Sequence, residues 1–166
     1  MIMTPFPHDM TSLRWHDLPS GTREPPKASD DDGEVDSAGL RVLSPAECLH
    51  LLTRAPIGRI VFTDRALPAV QPVNYLLVGQ DIVIRTATGS KLAAATRNTV
   101  VAFEIDDFDP RTRTGWSVTA VGRARAVTEF EELQRLTALP LTSWAPGDRD
   151  HFIVMHAQQL TGRQIL

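Results

Sequence analysis

The segment from Val70 to Lys91 (VQPVNYLLVGQDIVIRTATGSK) constrains the fold more than any other part of the chain. Apolar residues alternate along its first half, and a second apolar run, Ile82–Ile84, follows the pair Gly79-Gln80. Glycine adopts positive φ without steric cost, so this pair predicts a tight turn between two antiparallel strands. A chain that contains such a hairpin is expected to build an antiparallel sheet.

Polar groups gather where the second predicted strand ends. Two cations, three hydroxyls and a glycine lie within this stretch: Arg85, Thr86, Thr88, Gly89, Ser90 and Lys91. Ser90 can also cap a short helix over 90–98, whose first turn would present free backbone N–H groups. Cationic side chains and such N–H groups suit an anion, and phosphate is the favoured one.

Capping signals and apolar alternation predict the remaining elements. Ser44, Pro45 and Glu47 indicate a helix start with a capping box, for a helix that ends before Pro56. A second helix is predicted at 129–138, strands are predicted at 57–63, 100–105, 115–127 and 151–165, a turn at 64–65 and a polar loop at 107–114. The pattern favours a mainly β fold with a few helices, in which a six-stranded antiparallel sheet closes into a small barrel.

Charge and composition divide the chain near residue 40. Residues 1–40 hold three basic and eight acidic residues, whereas the remainder holds 14 basic and 12 acidic residues. The first part is also rich in proline, serine and glycine, so it buries too little apolar surface to offset the entropy of ordering. We expect a disordered acidic tail over 1–40 and one folded domain over 41–166.

Several classes of protein are disfavoured. No apolar run reaches ~18 residues, so no membrane span is expected, and the N-terminus lacks the apolar core of a secretion signal. A single cysteine, Cys48, fits a reducing cytoplasm. The sequence lacks the glycine-rich motifs of dinucleotide and nucleoside triphosphate sites, any clustered metal ligands, and a basic face with interleaved aromatic residues for nucleic acid.

Four motifs, in order, resemble the pyridoxamine 5′-phosphate oxidase-like family of FMN-binding split barrels, and most of all its small actinobacterial-type members. They are LSPAECLHLL with the GRI that follows, PVNY with IVIRTATGSKL, VAFEIDDFD, and GWSVTAVGRARAV with the final TGRQIL. Their order and spacing across residues 41–166 carry the resemblance, since none of them is specific by itself.

The resemblance implies a homodimer of split barrels with flavin mononucleotide (FMN) at the subunit interface. The residues that it assigns to the flavin ring, partly through backbone groups, are Gln71, Pro72, Val73, Asn74 and Tyr75, although Tyr75 is expected to serve packing. Those that it assigns to the phosphate are Arg85, Thr86, Ser90 and Lys91. Trp116 and Ser117 would reach the site from the neighbouring subunit. The residues alone leave other roles open, since Arg85 can pair with an acid and Trp116 can belong to the core.

The implied activity is that of a flavin-dependent oxidoreductase, in which the flavin accepts or donates hydride at N5 for a small molecule that the sequence does not identify. Pyridoxamine phosphate itself is disfavoured, because the sequence ends at Leu166 without the arginine-containing tail that binds that substrate. Two alternatives stay open. One is use of the deazaflavin F420, whose acidic tail could meet Arg97, Arg111 and Arg113; the other is a non-enzymatic flavin- or haem-binding carrier or sensor.

Overall fold

The computed structural model describes residues 34–87, 92 and 96–166. The elements are β1 (Arg41–Leu43), α1 (Pro45–Leu52), β2 (Ile57–Asp64), β3 (Leu67–Val78), β4 (Asp81–Thr86), β5 (Thr99–Asp109), β6 (Thr114–Ala126), α2 (Phe130–Thr137) and β7 (His151–Ile165). The disorder predicted for residues 1–40 stays a prediction for 1–33, which lie outside the described part. Residues 34–40 contact the domain: Val35 pairs with Arg41 in a β-bridge, and the Asp36 carboxylate accepts from Arg163 Nε at 2.7 Å. Within that part, no helix is long and apolar enough to cross a membrane.

Six of the strands close into a ring. Their order is β7–β4–β3–β2–β5–β6, all neighbours are antiparallel, and β6 pairs with β7 to complete the ring. The mainly β barrel predicted from the sequence is therefore confirmed. A seventh strand, β1, was not predicted; it adds to the edge of β7 beyond the end of β4, with Arg41 opposite Gln164.

The ring is only partly paired between β3 and β4. Along one edge of β3, Leu67–Asn74 pair with β2, whereas on the other edge only Tyr75–Val78 pair with β4. Ahead of Tyr75, this second edge has no strand partner among the described residues. Its outward-directed backbone N–H and C=O groups are therefore available to a ligand or to another chain.

Two apolar clusters form the core of the described structure. The larger one fills the barrel, where Ile60 and Phe103 are fully buried and the Tyr75 ring meets the Phe103 ring edge-on, at a centroid distance of 4.7 Å. The smaller one joins Val83 of β4 to Leu141 and to α2. The smaller cluster thus attaches α2 and the chain that follows it to the sheet.

Several predicted features are confirmed. Ser44 caps α1, and its backbone N–H donates to the Glu47 carboxylate at 2.8 Å, which completes the capping box. Gly79 adopts a φ of 65° in the turn between β3 and β4. Cys48 is buried in the core, where burial raises the pKa of its thiol.

Two turn predictions are wrong. Within the segment 107–114 only 110–113 form a turn, because β5 continues to Asp109, which pairs with Thr114 of β6. Its polar residues do not mark a break, since a strand with one solvated face tolerates them. The turn after β2 lies one residue later than predicted: Arg65 and Ala66 form it at φ values of 50° and 65°. Neither residue favours that left-handed conformation, so the pairing of the flanking strands imposes it.

Candidate functional site

Four of the predicted ring-contact residues of β3 divide between the two faces of the sheet. Val73 is buried, and Gln71 lies opposite the fully buried Ile60, so both face the barrel interior. Pro72 and Asn74 alternate with them and face outward. A ligand on the outer face can therefore meet the side chains of Pro72 and Asn74, but only the backbone of Gln71 and Val73.

The Asn74 side chain joins two other parts of the chain. Its Nδ2 donates to the carbonyl oxygen of Pro56 at 3.2 Å, and its Oδ1 accepts from the backbone N–H of Trp144 at 2.8 Å. Pro56 lies between α1 and β2, and Trp144 lies in residues 139–150, which connect α2 to β7 and are called the 139–150 segment below. Asn74 therefore holds both connections against the outer face of β3.

Arg85 also binds the 139–150 segment. Its Nε donates to the carbonyl oxygen of Arg149, its Nη2 lies 3.6 Å from the Asp150 carboxylate, and its guanidinium carbon lies 5.5 Å from the centroid of the Phe152 ring. The alternative that Arg85 pairs with an acid is therefore the arrangement observed here. The predicted contact of Arg85 with a phosphate stays a prediction. Such a contact would require the guanidinium to leave Asp150 or to bind Asp150 and the phosphate together.

The rest of the predicted phosphate cluster is described only in part. Thr86 is buried at the end of β4. Ser90 and Lys91 lie outside the described residues. Beyond them, Leu92 is fully buried in the core, and its carbonyl oxygen accepts from both the backbone N–H and the hydroxyl of Thr96, at 3.0 and 2.8 Å. The burial of Leu92 anchors the chain just beyond the predicted cluster to the barrel.

Trp116 and Ser117 lie on the opposite side of the ring from β3. Two strands, β2 and β5, separate β3 from β6 in one direction, and β4 and β7 separate them in the other. Trp116 is half-buried and packs against the barrel core, whereas Ser117, the next residue of β6, is half-buried on the outer face of the sheet. One chain therefore does not bring the predicted β3 and β6 residues together.

An apolar row crosses the outer face of four strands. Val61 lies opposite both Val70 and Ala102, and Ala102 lies opposite Val121. Residues in register share a face, so these four side chains form one row. We call it the β2–β5 row after its two central strands. Val70 at its end is 61% exposed. The row is an apolar stripe on the outer sheet face within the described structure.

An ion-pair cluster borders the β2–β5 row. Arg59 Nη1 donates to the Glu104 carboxylate at 3.0 Å and also to the Asp106 carboxylate. The hydrogen bond to Asp106, followed by that to Glu104, raises the pKa of the Arg59 guanidinium. Arg59 remains 49% exposed, so the cluster is solvated, and its one guanidinium faces the two carboxylates of Glu104 and Asp106.

Tyr75 of β3 and Cys48 of α1 are buried titratable groups that are held neutral. The Tyr75 hydroxyl donates to the carbonyl oxygen of Leu52 at 2.7 Å, and burial raises the pKa of that phenol. With the buried Cys48 thiol also protonated, neither group is a ready base or nucleophile. The described surroundings of β3 thus provide binding and positioning groups rather than an acid–base pair.

Sequence reasoning missed the contribution of the 139–150 segment. Trp144 is 57% exposed although it is a large apolar residue, and its backbone is tied to Asn74. A tryptophan flanked by proline and glycine, in PLTSWAPGD, is a signal that a loop carries a contact surface. Arg54, beside the same part of β3, carried no motif that would distinguish it.

Comparisons with known proteins agree with this fold. Residues 44–164 match the sequence profile of the family described as pyridoxamine 5′-phosphate oxidase. An uncharacterised protein of Mycobacterium tuberculosis is 39% identical over 125 residues, which is 72% of this chain and 82% of that protein. The chain therefore belongs to the pyridoxamine 5′-phosphate oxidase family, as its motifs predicted.

Two solved structures show the same architecture. An FAD-binding protein from Mycobacterium smegmatis is 34% identical, with a TM-score of 0.64 over 75% of this chain and 96% of that chain. A conserved protein of unknown function from Corynebacterium diphtheriae is 29% identical, with a TM-score of 0.64 over 76% of this chain and 98% of that chain. The split-barrel fold expected from the motifs is confirmed.

Proposed function

We propose that the protein is a homodimeric flavin-binding oxidoreductase with FMN at its subunit interface. Bound FMN would supply hydride transfer at N5, to or from a small molecule. Its working compartment would be the cytoplasm, which suits a single buried cysteine.

The opposite positions of β3 and β6 carry this proposal. In one chain, Pro72 and Asn74 lie across the ring from Trp116 and Ser117. A site that uses both sets needs a second copy, whose β6 would approach the β3 of the first. The β2–β5 row supports this arrangement, because an apolar stripe on the outer face of a sheet gains stability when a partner covers it.

The residues of this chain fit a flavin. The unpaired edge of β3 ahead of Tyr75 offers backbone N–H and C=O groups to the polar edge of a flat ring, and Pro72 offers an apolar contact. Lys91 would supply the positive charge for the phosphate, since Arg85 is engaged with Asp150. Membership of the family and the FAD-binding relative from Mycobacterium smegmatis support a flavin as the cofactor class.

A visible absorption spectrum of the purified protein tests the proposal. The protein would be measured alone and after addition of FMN, FAD, F420 and haemin in turn. A bound-flavin spectrum at a stoichiometry of one per subunit, in a dimeric protein, is expected. Binding of F420 alone would move the chemistry to a deazaflavin, and a shifted haem band alone would favour a haem protein. Binding of none of them would overturn the proposal.

Lys91 permits a second test on the unaltered protein. The chain has two lysines, Lys27 and Lys91, so each can be followed by mass spectrometry after mild acetylation. FMN is expected to protect Lys91 and leave Lys27 reactive.

Lys91→Ala should weaken FMN binding by about 1.5–3 kcal/mol, the contribution of a hydrogen bond to a charged group. Arg135→Ala on α2 is the control, and an equal effect of both changes would remove Lys91 from the phosphate site.

A further inference from the structure

A cavity of about 420 Å³ lies beside the proposed flavin site. Its walls come from three places: the end of α1 with the residues up to Pro56, the second half of β3, and the start of the 139–150 segment. Its volume falls in the range of about 300–1,000 Å³ that is common for small-molecule sites. Asn74 belongs to its lining, so the cavity adjoins the β3 surface proposed to contact the flavin.

Most of the cavity wall is apolar. Leu52 and Leu141 are almost completely buried beneath it, and Pro56 and Pro140 contribute flat apolar surface. Trp144 stands at one side, with more than half of its surface exposed. An apolar molecule, above all one with a planar ring, would remove the apolar surface of this wall from water.

Three polar side chains in the lining are already used within the protein. The Thr53 hydroxyl donates to the carbonyl oxygen of His50 at 2.7 Å, and the Tyr75 hydroxyl donates to that of Leu52 at 2.7 Å. Asn74 bonds through both ends of its amide. These groups shape the cavity, and they do not determine the polarity of what enters it.

Two polar side chains of the lining are available to a ligand. Within the described part of the chain, neither the Arg54 guanidinium nor the Thr142 hydroxyl makes a hydrogen bond or ion pair. Among the described residues, no aspartate or glutamate belongs to the lining. The cavity therefore combines apolar walls with one uncompensated positive charge, which favours an anionic group on an apolar body.

We propose that this cavity is the substrate pocket and that its ligands are small apolar molecules, preferably with a ring, that carry one anionic group held by Arg54. The identification as a substrate pocket rests on the proposed flavin function, because only the neighbouring flavin makes the ligand a substrate. The apolar body would lie along Trp144 and Leu141, and the anionic group would lie at the open side beside Arg54.

A pair of fluorescent probes with nearly the same ring system tests the chemistry. 8-Anilinonaphthalene-1-sulfonate carries an anionic group, and N-phenyl-1-naphthylamine is neutral. Arg54→Gln should weaken binding of the sulfonate about tenfold or more and leave binding of the neutral probe within about twofold. Arg111→Gln, in the turn between β5 and β6, is the matched control. Ala55→Phe, which fills the cavity, should weaken the binding of both probes. Trp144→Phe should reduce energy transfer from tryptophan to the bound sulfonate probe.

Each outcome decides the proposal. Equal effects of Arg54→Gln and Arg111→Gln, or no effect of Ala55→Phe, would overturn it. Stoichiometric displacement of the sulfonate probe by FMN would also overturn it, because the cavity would then belong to the cofactor. Simultaneous binding of FMN and probe is expected, and displacement of the probe by 2-naphthoate or 2-naphthyl phosphate would support the pocket and rank the anionic groups. If no flavin binds while the probe pattern holds, the anion pocket stands and its role as a substrate pocket fails together with the proposed function.

Discussion

The side-chain oxygen of Asn74 accepts a hydrogen bond from the backbone N–H of Trp144, 70 residues further along the chain, at 2.8 Å. This bond ties the 139–150 segment to the strand that carries the predicted flavin contacts. Arg85 makes a second attachment through Arg149 and Asp150. Two residues predicted to bind the cofactor thus also position the segment that borders the proposed substrate pocket.

Removal of the Asn74 amide should loosen the 139–150 segment. Asn74→Ala deletes two hydrogen bonds, each with a net value of about 1 kcal/mol, so the free energy of unfolding should fall by about 1–2 kcal/mol. Cleavage by trypsin after Arg149, followed by mass spectrometry, should become faster. Gln158→Ala removes an exposed amide on β7 and is the control; an equal rate of cleavage in both variants would contradict the role given to Asn74.

Arg85→Gln separates attachment of the segment from phosphate binding. The change removes a partly exposed ion pair and a cation–π contact, so the free energy of unfolding should fall by about 1 kcal/mol. Flavin affinity should change by less than threefold, because the guanidinium is engaged with Asp150. If titration shows a loss of affinity as large as that of Lys91→Ala, Arg85 must leave Asp150 to bind the phosphate.

A charge in the β2–β5 row should dissociate the proposed dimer. Val61→Glu would bury an unpaired carboxylate at the interface, at a cost of several kcal/mol, so the dimer dissociation constant should rise by roughly 100-fold or more. Light scattering coupled to size exclusion measures the mass. Val78→Glu, on the exposed end of β3, is the control and should remain dimeric. A Val61→Glu protein that is still dimeric would place the interface elsewhere.

The Arg125–Glu132 pair predicts a dependence of stability on pH. Both guanidinium Nη atoms donate to the Glu132 carboxylate, at 2.8 and 2.6 Å, and these bonds lower the pKa of Glu132 below its ordinary 4.5. Because the folded state has the lower pKa, this stabilisation is present above pH 4.5 and is lost as the pH falls through the folded-state value. Glu132→Gln should therefore cost about 0.5–1 kcal/mol near neutral pH and almost nothing in acid.

Denaturant titration at neutral and at acid pH checks this expectation. Glu131→Gln, one residue away on the exposed side of α2, should show no such difference. A Glu132→Gln effect that is the same at both pH values would show that the side chain acts through packing and not through its charge.

The amino-acid sequence by itself determined the local structure and the family. The capping box of α1, the Gly79 turn and the alternation along β6 depend on residues close together in the chain. They can therefore be predicted without knowledge of the tertiary structure. The order of the motifs was enough to predict the split barrel. The positions at which the strands end were harder to predict, because the polar residues of 107–114 suit a solvated strand face as well as a loop.

Only the tertiary structure decided what the site residues face and what they touch. The register of β3 against β2 directs Pro72 and Asn74 outward and Gln71 and Val73 inward. Closure of the ring sets β3 and β6 on opposite sides, and the return of the chain after α2 brings Asp150 to Arg85 and Trp144 to Asn74. These relationships join residues far apart in sequence. Their geometry follows from strand pairing and core packing, which local sequence patterns do not determine.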